Sequence, residues 1–351
     1  MTPIWRQLMT TCWLCLLLGA VISVLGSVEG VAARDQSSGP PQAKTAPKII
    51  QVQTGAIAAG GWYRGGFDAY EKMAAALGSE PTVLERVGFD IAPQTFRRLG
   101  SEGYDIVVLH SSGYAAAALQ VAPEFPKTWW IVYSDLSTTN NLKNIAGWAI
   151  NWSEVGYVAA SIACAASKTG TIGMIDSLPI PAMMRWAGGS QQATDESAKV
   201  IGKQCEFRIV WTGDNVDPAK ARQAALSLLD QGADVLFDAA NAAGVGAIEV
   251  AKQRGVKYVG GVVDQCQQAP RSVTTSVTMN FDVAYQQMAR AFKDGQLEPR
   301  IYPLNVANGG IKVLPTFCNP DAKTEARTRE VIEKLSRGDI TVDTKRTLKP
   351  F

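Results

Sequence analysis

Ile49-Ile50-Gln51-Val52-Gln53, followed by Gly60-Gly61-Trp62-Tyr63-Arg64-Gly65-Gly66-Phe67, is the stretch from which the fold is read. The first five residues are a short, β-branched, mainly apolar run with strand character, and Tyr63 to Leu77 spaces its apolar residues at helical intervals. A strand that empties through glycines into a helix is the opening half of a βαβ unit. Glycine tolerates positive φ and lets a ligand approach the backbone, and the indole of Trp62 adds a flat π face to the same loop.

Outward from this passage the same beat recurs. Strands are predicted over 82–87, 105–110, 129–134, 145–152, 171–175, 207–211, 235–238, 258–262 and 273–278, with helices over 63–77, 155–167, 218–230 and 280–294. The strands are close to continuously apolar, as in strands buried on both faces of a parallel sheet. The expected fold is therefore α/β, with two doubly wound parallel-sheet lobes joined by a hinge. The polar turn Asn140-Asn141-Leu142-Lys143-Asn144 precedes a strand with no helix before it, and marks the crossing to a second lobe. The expected division gives 48–140 plus 264–300 to the first lobe and 141–263 plus 301–351 to the second. Three crossings imply a hinge.

The amino terminus sets the expected compartment. One early cation, Arg6, precedes an apolar stretch from Cys12 to Leu25, and Val31-Ala32-Ala33 supplies small residues at the positions a signal peptidase reads. A signal peptide of residues 1–33, cut after Ala33, predicts a periplasmic chain. The stretch is short for a membrane span, and neither Cys12 nor Cys15 has the context of a lipid anchor. Residues 34–47, rich in Ser, Gly, Pro and Gln, form a flexible tether.

The net charge of +2 argues against nucleic acid as a partner, since its binders concentrate cations on one face. With 46% apolar residues the chain can bury a substantial core. Cys164, Cys205, Cys266 and Cys318 lie beyond the leader without metal-ligand spacing, so no metal site is expected. In an oxidising compartment they permit two disulfides in any of three pairings, or remain free thiols.

Open parallel sheets bind ligands at the carboxyl ends of their strands, so the loops there supply the candidates. They are Trp62 and Tyr63 after the first strand, His110 and Tyr114 after the third, Trp186 in the helix after the second lobe's first strand, Asp238 and Asn241, and Asp264. Each has a structural alternative: His110 as a strand-end residue bonded to backbone, Trp186 as helix packing, Asp238 and Asn241 as helix caps, Asp264 as a turn former. Trp129, Trp130, Trp148, Trp152 and Trp211 fall in strand-like runs and read as core or sheet surface. The enzyme reading is poorly supported. His110 is the sole histidine, no Gly-x-Ser-x-Gly elbow is present, and Gly244-x-Gly246 lacks the third glycine of a dinucleotide site, so no cofactor is expected.

Seven short blocks in register carry a family resemblance over residues 48 to 312. They are Gly61-Trp62-Tyr63, Gly103-Tyr104-Asp105, the Glu-x-Gly-Tyr-x-Ala pattern from Glu154, Ser167-Lys168-Thr169-Gly170, Asp217-Pro218-Ala219-Lys220, Gln231-Gly232-Ala233-Asp234-Val235, and Asp264-Gln265 followed by Thr275-Ser276-Val277. Together they resemble the basic membrane protein family, substrate-binding proteins of ABC importers for purine nucleosides and related bases. The resemblance implies a monomeric, two-lobed binding protein of the type I periplasmic kind, which clamps a planar base with aromatics and delivers it to an ABC permease in the inner membrane. A sensor subunit of the same fold, signalling to a membrane receptor, is the alternative. Asp264 matches the second Asp of the family's Gly-Val-Asp-x-Asp-Gln stretch. Three positions depart from the pattern: Val262 stands for the first Asp, Met279 for a lysine and Asn215 for a second clamp aromatic. These departures point away from a ribose and toward a free base or another flat, less hydroxylated ligand.

Overall fold

The computed structural model describes residues 46–134, 141–319 and 321–349. The expected signal peptide of residues 1–33 and residues 34–45 of the expected tether lie outside the described residues.

The first sheet contains β1 (Ile49–Val52), β2 (Val83–Leu84), β3 (Ile106–Leu109), β4 (Trp129–Tyr133), β5 (Ile145–Ile150) and β11 (Ile301–Leu304), in the order β11-β5-β4-β3-β1-β2. Every pairing in it is parallel. The second sheet contains β6 (Thr171–Asp176), β7 (Glu206–Trp211), β8 (Val235–Ala239), β9 (Lys257–Val262), β10 (Val273–Met279) and β12 (Ile311–Val313), in the order β12-β10-β9-β8-β6-β7. Only β12 runs antiparallel to its neighbour there.

Helices cover both faces of each sheet. Alternation along β1 directs Ile50 and Val52 to one face, where they share a core with Phe96 and Leu99 of α2 (Ala92–Ser101) and Ala118 of α3 (Ala115–Val121). Ile49 faces the other way, with Tyr70 and Met73 of α1 (Gly61–Leu77) and Tyr285 and Met288 of α9 (Asp282–Lys293). In the second lobe, α7 (Pro218–Asp230) and α8 (Gly244–Arg254) pack on one face through Ala and Leu side chains such as Ala225, Leu228 and Ala247. The opposite face is covered by α4 (Trp152–Ala166), α5 (Pro181–Asp195), the short α6 (Ser197–Val200) and α10 (Ala322–Arg337). The backbones of α4 and α5 touch: a Cβ on Gly156 would lie 2.0 Å from the Trp186 carbonyl oxygen, and one on Gly189 would lie 1.9 Å from that of Ser153.

The expected lobe boundaries differ from the observed sheet membership in three places. Ile145–Ile150, expected to open the second lobe, pairs with β4 in the first sheet. Val273–Met279, expected to return to the first lobe, pairs with β9 in the second. Ile301–Leu304, expected in the second, pairs with β5 in the first. The polar turn 141–144 ends one strand connection without specifying which sheet the next strand joins, because both edges present the same kind of apolar partner.

Three crossings do connect the sheets, at Asn151, at Asn280-Phe281, and over 305–310. They are laced together. Asn151 caps α4 by accepting the Glu154 N–H at 3.3 Å, while its own N–H donates to the Leu304 carbonyl at 2.9 Å. Glu154 accepts the Val306 N–H at 2.7 Å, and the Asn280 N–H donates to Gly310 at 2.8 Å.

The cysteine alternatives resolve as two disulfides, Cys164–Cys205 and Cys266–Cys318. Among the described residues no helix is long and apolar enough to cross a membrane.

Candidate functional site

The carboxyl ends of the two sheets face a shared cleft of about 520 Å3, with lining residues from both lobes and from the first crossing. Trp62 lies in the first turn of α1, which the chain enters from the 3-10 turn Ile57–Ala59 through Gly60 and Gly61, whose φ values of 72° and 50° suit glycine. Its indole is half-buried. One side packs against His110 (4.5 Å between centroids), Tyr133 (5.1 Å) and Phe281 (5.2 Å), and the ring also contributes to the cleft wall. Its Nε1–H donates to the His110 carbonyl at 3.3 Å. Tyr63 lines the cleft as well, its ring seated beside Gly55, where a Cβ would lie 2.4 Å from the ring.

Across the cleft stands Trp186, from α5, stacked on Trp152 with centroids 5.4 Å apart and planes at 17°. Its Nε1–H has no partner among the described residues. Trp152 in turn donates from Nε1 to the Tyr133 hydroxyl at 2.6 Å, so Trp62, Tyr133, Trp152 and Trp186 make one continuous aromatic wall from lobe to lobe. Asn241, exposed and held at φ 52°, closes the gap: its Oδ1 lies 3.8 Å from the position a Cβ on Gly61 would take.

Asp238 also lines the cleft, yet both of its oxygens are engaged within the lobe, Oδ1 by the Tyr258 hydroxyl and Oδ2 by the Ala240 N–H at 3.1 Å. Burial raises its carboxyl above the usual carboxylate range, opposed by these two bonds. Beside it on β6, Asp176 is buried; Oδ1 accepts the Ser177 N–H at 2.7 Å and Oδ2 has no partner among the described residues. Burial pushes Asp176 well above the usual range, with the Asp238 carboxyl adding to the effect.

Three expected site residues stand elsewhere. His110 is fully buried behind Trp62, its Nδ1 2.9 Å from the Tyr285 hydroxyl and its Nε2 3.2 Å from the Trp62 carbonyl. Gly66 makes room for it, since a Cβ there would lie 2.1 Å from Nε2. Burial lowers the imidazole from 6.5 to about 3, so it is neutral. Tyr114 is buried and donates to the Val87 carbonyl at 2.6 Å; it buttresses Phe89, which lines the cleft. Asp264 is exposed and caps its own turn by accepting the Cys266 N–H at 2.8 Å. The next residue, Gln265, faces the cleft instead, with Oε1 accepting the Gly261 N–H at 3.1 Å.

Two of the departures from the family pattern, Val262 and Asn215, line the cleft, whereas Met279 is packed into the apolar core. Val262 sits at φ 68°, and the Val263 N–H donates to the Gly261 carbonyl at 2.8 Å, the geometry of a γ-turn at the end of β9. Tyr133, Trp152 and Phe89 belong to the lining without having been expected there. For Trp152 a signal existed: Asn151-x-x-Glu154 is a capping pattern that ends the strand at Ile150 and places the indole at a strand's carboxyl end.

The arrangement is suited to stacking and hydrogen-bonded capture. Among the described residues, the one group of potential metal ligands is Asp264, Cys266 and Cys318, and its two sulfurs are joined to each other.

The family model described as ABC transporter substrate-binding protein, PnrA-like, matches residues 46–344. A purine-binding protein of Brucella abortus is 27% identical over 279 residues, 77% of each chain. A transcriptional activator protein of Bacillus subtilis is 26% identical over 61% of this chain and 64% of its own. Among solved structures, an ABC transporter solute-binding protein from Conexibacter woesei superposes with a TM-score of 0.73 at 21% identity, covering 86% of this chain and all of that one. A transcriptional activator from Bacillus halodurans superposes at 0.71 with 17% identity, covering 84% and 99%. The structural likenesses carry the two-lobed fold, and the model match spans most of the sequence. The chain belongs to the family of PnrA-like substrate-binding proteins of ABC transporters.

Proposed function

We propose that this chain is an exported, monomeric binding subunit that closes on a small, flat ligand and presents it to an ABC permease in the inner membrane. The observation that carries this reading is the cleft between the carboxyl edges of the two sheets, walled by Trp62, Tyr133, Trp152 and Trp186 from both sides of the hinge. Such rings give a planar ligand a stacking surface, and three laced crossings give the lobes a defined axis of rotation. A free nucleobase or a similarly flat, sparsely hydroxylated molecule suits the lining better than a nucleoside. Where the family pattern has an aspartate for ribose, the cleft has the aliphatic Val262, and each lost charge-assisted hydrogen bond is worth ~1.5–3 kcal/mol, a tenfold or greater loss of affinity. The Brucella abortus relative is named a purine-binding protein, which makes purines the first ligands to test.

Native mass spectrometry of the protein taken from its own periplasm, followed by calorimetry with adenine, hypoxanthine and their nucleosides, tests the proposal. The expected result is a chain beginning at Arg34 that retains a flat cargo and prefers bases to nucleosides by about tenfold or more. Nucleosides bound as tightly as bases would refute the ligand class, and a chain with no small-molecule binding would refute the capture role. Two relatives of this fold are named as transcriptional activators, so a sensor subunit is the second reading. A permease that fails to bind the loaded protein would favour it.

A further inference from the structure

The sole histidine of the chain stands behind the cleft wall, and its hydrogen bonds have a direction. The His110 ring packs against Trp62 and Trp148, with centroids 4.5 and 5.4 Å away, and Phe281 meets it edge-on at 5.3 Å. Burial keeps the imidazole neutral, so it carries one N–H. A main-chain carbonyl can only accept, so the 3.2 Å contact of Nε2 with the Trp62 carbonyl puts that proton on Nε2. Nδ1 is then the acceptor, and the Tyr285 hydroxyl donates to it at 2.9 Å. In return the His110 carbonyl accepts the Trp62 Nε1–H at 3.3 Å. The two residues hold each other twice, side chain to main chain in both directions, although 48 positions separate them.

We propose that His110 is a positioning residue for ligand capture: as the Nε2–H tautomer selected by Tyr285, it fixes the first turn of α1 and the angle at which the Trp62 indole faces the cleft. This inference rests on the capture of a flat ligand by the Trp62 platform proposed above and adds what holds that platform. Helix α1 starts without a side-chain cap, so its first turn depends on bonds from elsewhere in the lobe. The Nε2–H bond to the Trp62 carbonyl is one of these, and the missing side chain of Gly66 admits the imidazole that makes it. Stacking on an indole depends on the plane the ring presents, and hydrogen bonds are more directional than ring packing. Tyr285 belongs to α9, which starts directly after the crossing at Asn280-Phe281, so the relay from Tyr285 through His110 also ties the platform to the hinge.

Because the untagged chain has one imidazole, nitrogen-15 labelling of histidine gives a single pair of ring signals. The empty protein at neutral pH is expected to show Nε2 protonated and Nδ1 bare; the Nδ1–H tautomer or a charged ring would overturn the assignment. Affinity is read by calorimetry with adenine and hypoxanthine. His110→Asn places an amide near Nδ1 but not at Nε2 and should weaken binding about fivefold or more, whereas His110→Gln, whose amide reaches the Nε2 position, should recover most of it. In the Trp62→Ala background His110→Asn should weaken binding no further, since no indole is left to position; a general packing defect would still add there. Tyr285→Phe leaves the imidazole in place and serves where His110→Asn does not fold: the ring should become a mixture of tautomers and binding should weaken by at least about twofold. Parental affinity in His110→Asn or Tyr285→Phe, or an undiminished loss in the Trp62→Ala background, would overturn the positioning role while leaving planar capture intact. Failure of the parent to bind any flat molecule would overturn both.

Discussion

Replacing Trp62 by alanine removes a side chain with two jobs, and the two can be measured apart. On its inner side the indole packs against His110, Tyr133 and Phe281 at 4.5, 5.1 and 5.2 Å and donates to the His110 carbonyl. Truncating a fully buried tryptophan costs ~3–5 kcal/mol, so a half-buried one that also holds a hydrogen bond should cost about 2–3 kcal/mol of stability. On its cleft side the ring is the proposed stacking platform. Loss of one such platform weakens binding by ~1–3 kcal/mol, or between about fivefold and 150-fold in Kd. The assay is calorimetry with the cargo identified by native mass spectrometry, paired with denaturant unfolding of the empty protein. Trp62→Phe keeps a ring against His110 while giving up the Nε1–H bond, so it should recover most of the affinity and only part of the stability. If Trp62→Ala loses stability and binds its ligand as the parent does, the indole is packing alone and the stacking role is wrong.

Breaking Cys266–Cys318 by double serine substitution should lower stability by about 2–4 kcal/mol and also weaken ligand binding, because Gln265 and the Val262 turn share that loop; breaking Cys164–Cys205 should lower stability by a similar amount with affinity unchanged. Unfolding midpoints and titrations of the two variants check this, and equal affinity losses would refute it. Val262→Gly should raise stability by about 0.5–1 kcal/mol, since φ of 68° costs a β-branched residue ~1–2 kcal/mol and glycine returns part of the gain as unfolded-chain entropy. A lower unfolding midpoint would sink that expectation. His110 should make folding pH-dependent: its folded value of about 3 lies below the unfolded 6.5, so the unfolded chain takes a proton that the folded one refuses, and stability is lost as pH falls from 6.5 toward 3 at up to about 1.4 kcal/mol per unit. The buried Glu154, Asp176 and Asp238 carboxyls are raised and act in the opposite sense, so the test is the difference in slope between the parent and His110→Asn; identical slopes would count against it.

What the sequence discloses follows from the range over which each feature is decided. Parallel strands show themselves because burial on both faces leaves a continuous apolar run, and α7 is legible over the residues it occupies because its Ala and Leu residues recur at helical spacing. Sheet membership is not local. Nothing in Ile145–Ile150 or Val273–Met279 distinguishes one apolar strand edge from another, so their sequence does not specify the sheet, and it is their pairing with β4 and β9 that fixes it. The same limit governs the site. His110 and Trp62 both follow strands of the first lobe, but the missing side chain of Gly66 draws the imidazole inward behind the indole. Asp264 and Gln265 are neighbours, and the turn bond that Asp264 accepts from Cys266 leaves Gln265 to line the cleft.

The aromatic wall also constrains how the lobes can move. Trp152 is the first residue of α4, directly after the Asn151 crossing, and it stacks on Trp186 of α5. Because Gly156 and Gly189 bring the backbones of α4 and α5 into contact, that stacked pair belongs to one rigid body and must travel with the second lobe. Trp152 meets the first lobe through a hydrogen bond to Tyr133 and a tilted ring contact with Trp62, centroids 6.4 Å apart. Rotation about the three crossings therefore changes the angle between the Trp62 platform and the Trp152–Trp186 pair while preserving each. On the proposed capture of a flat ligand, one wedged between them would gain contact with both only as that angle closes, and binding in the cleft would then become a change of shape at the surface.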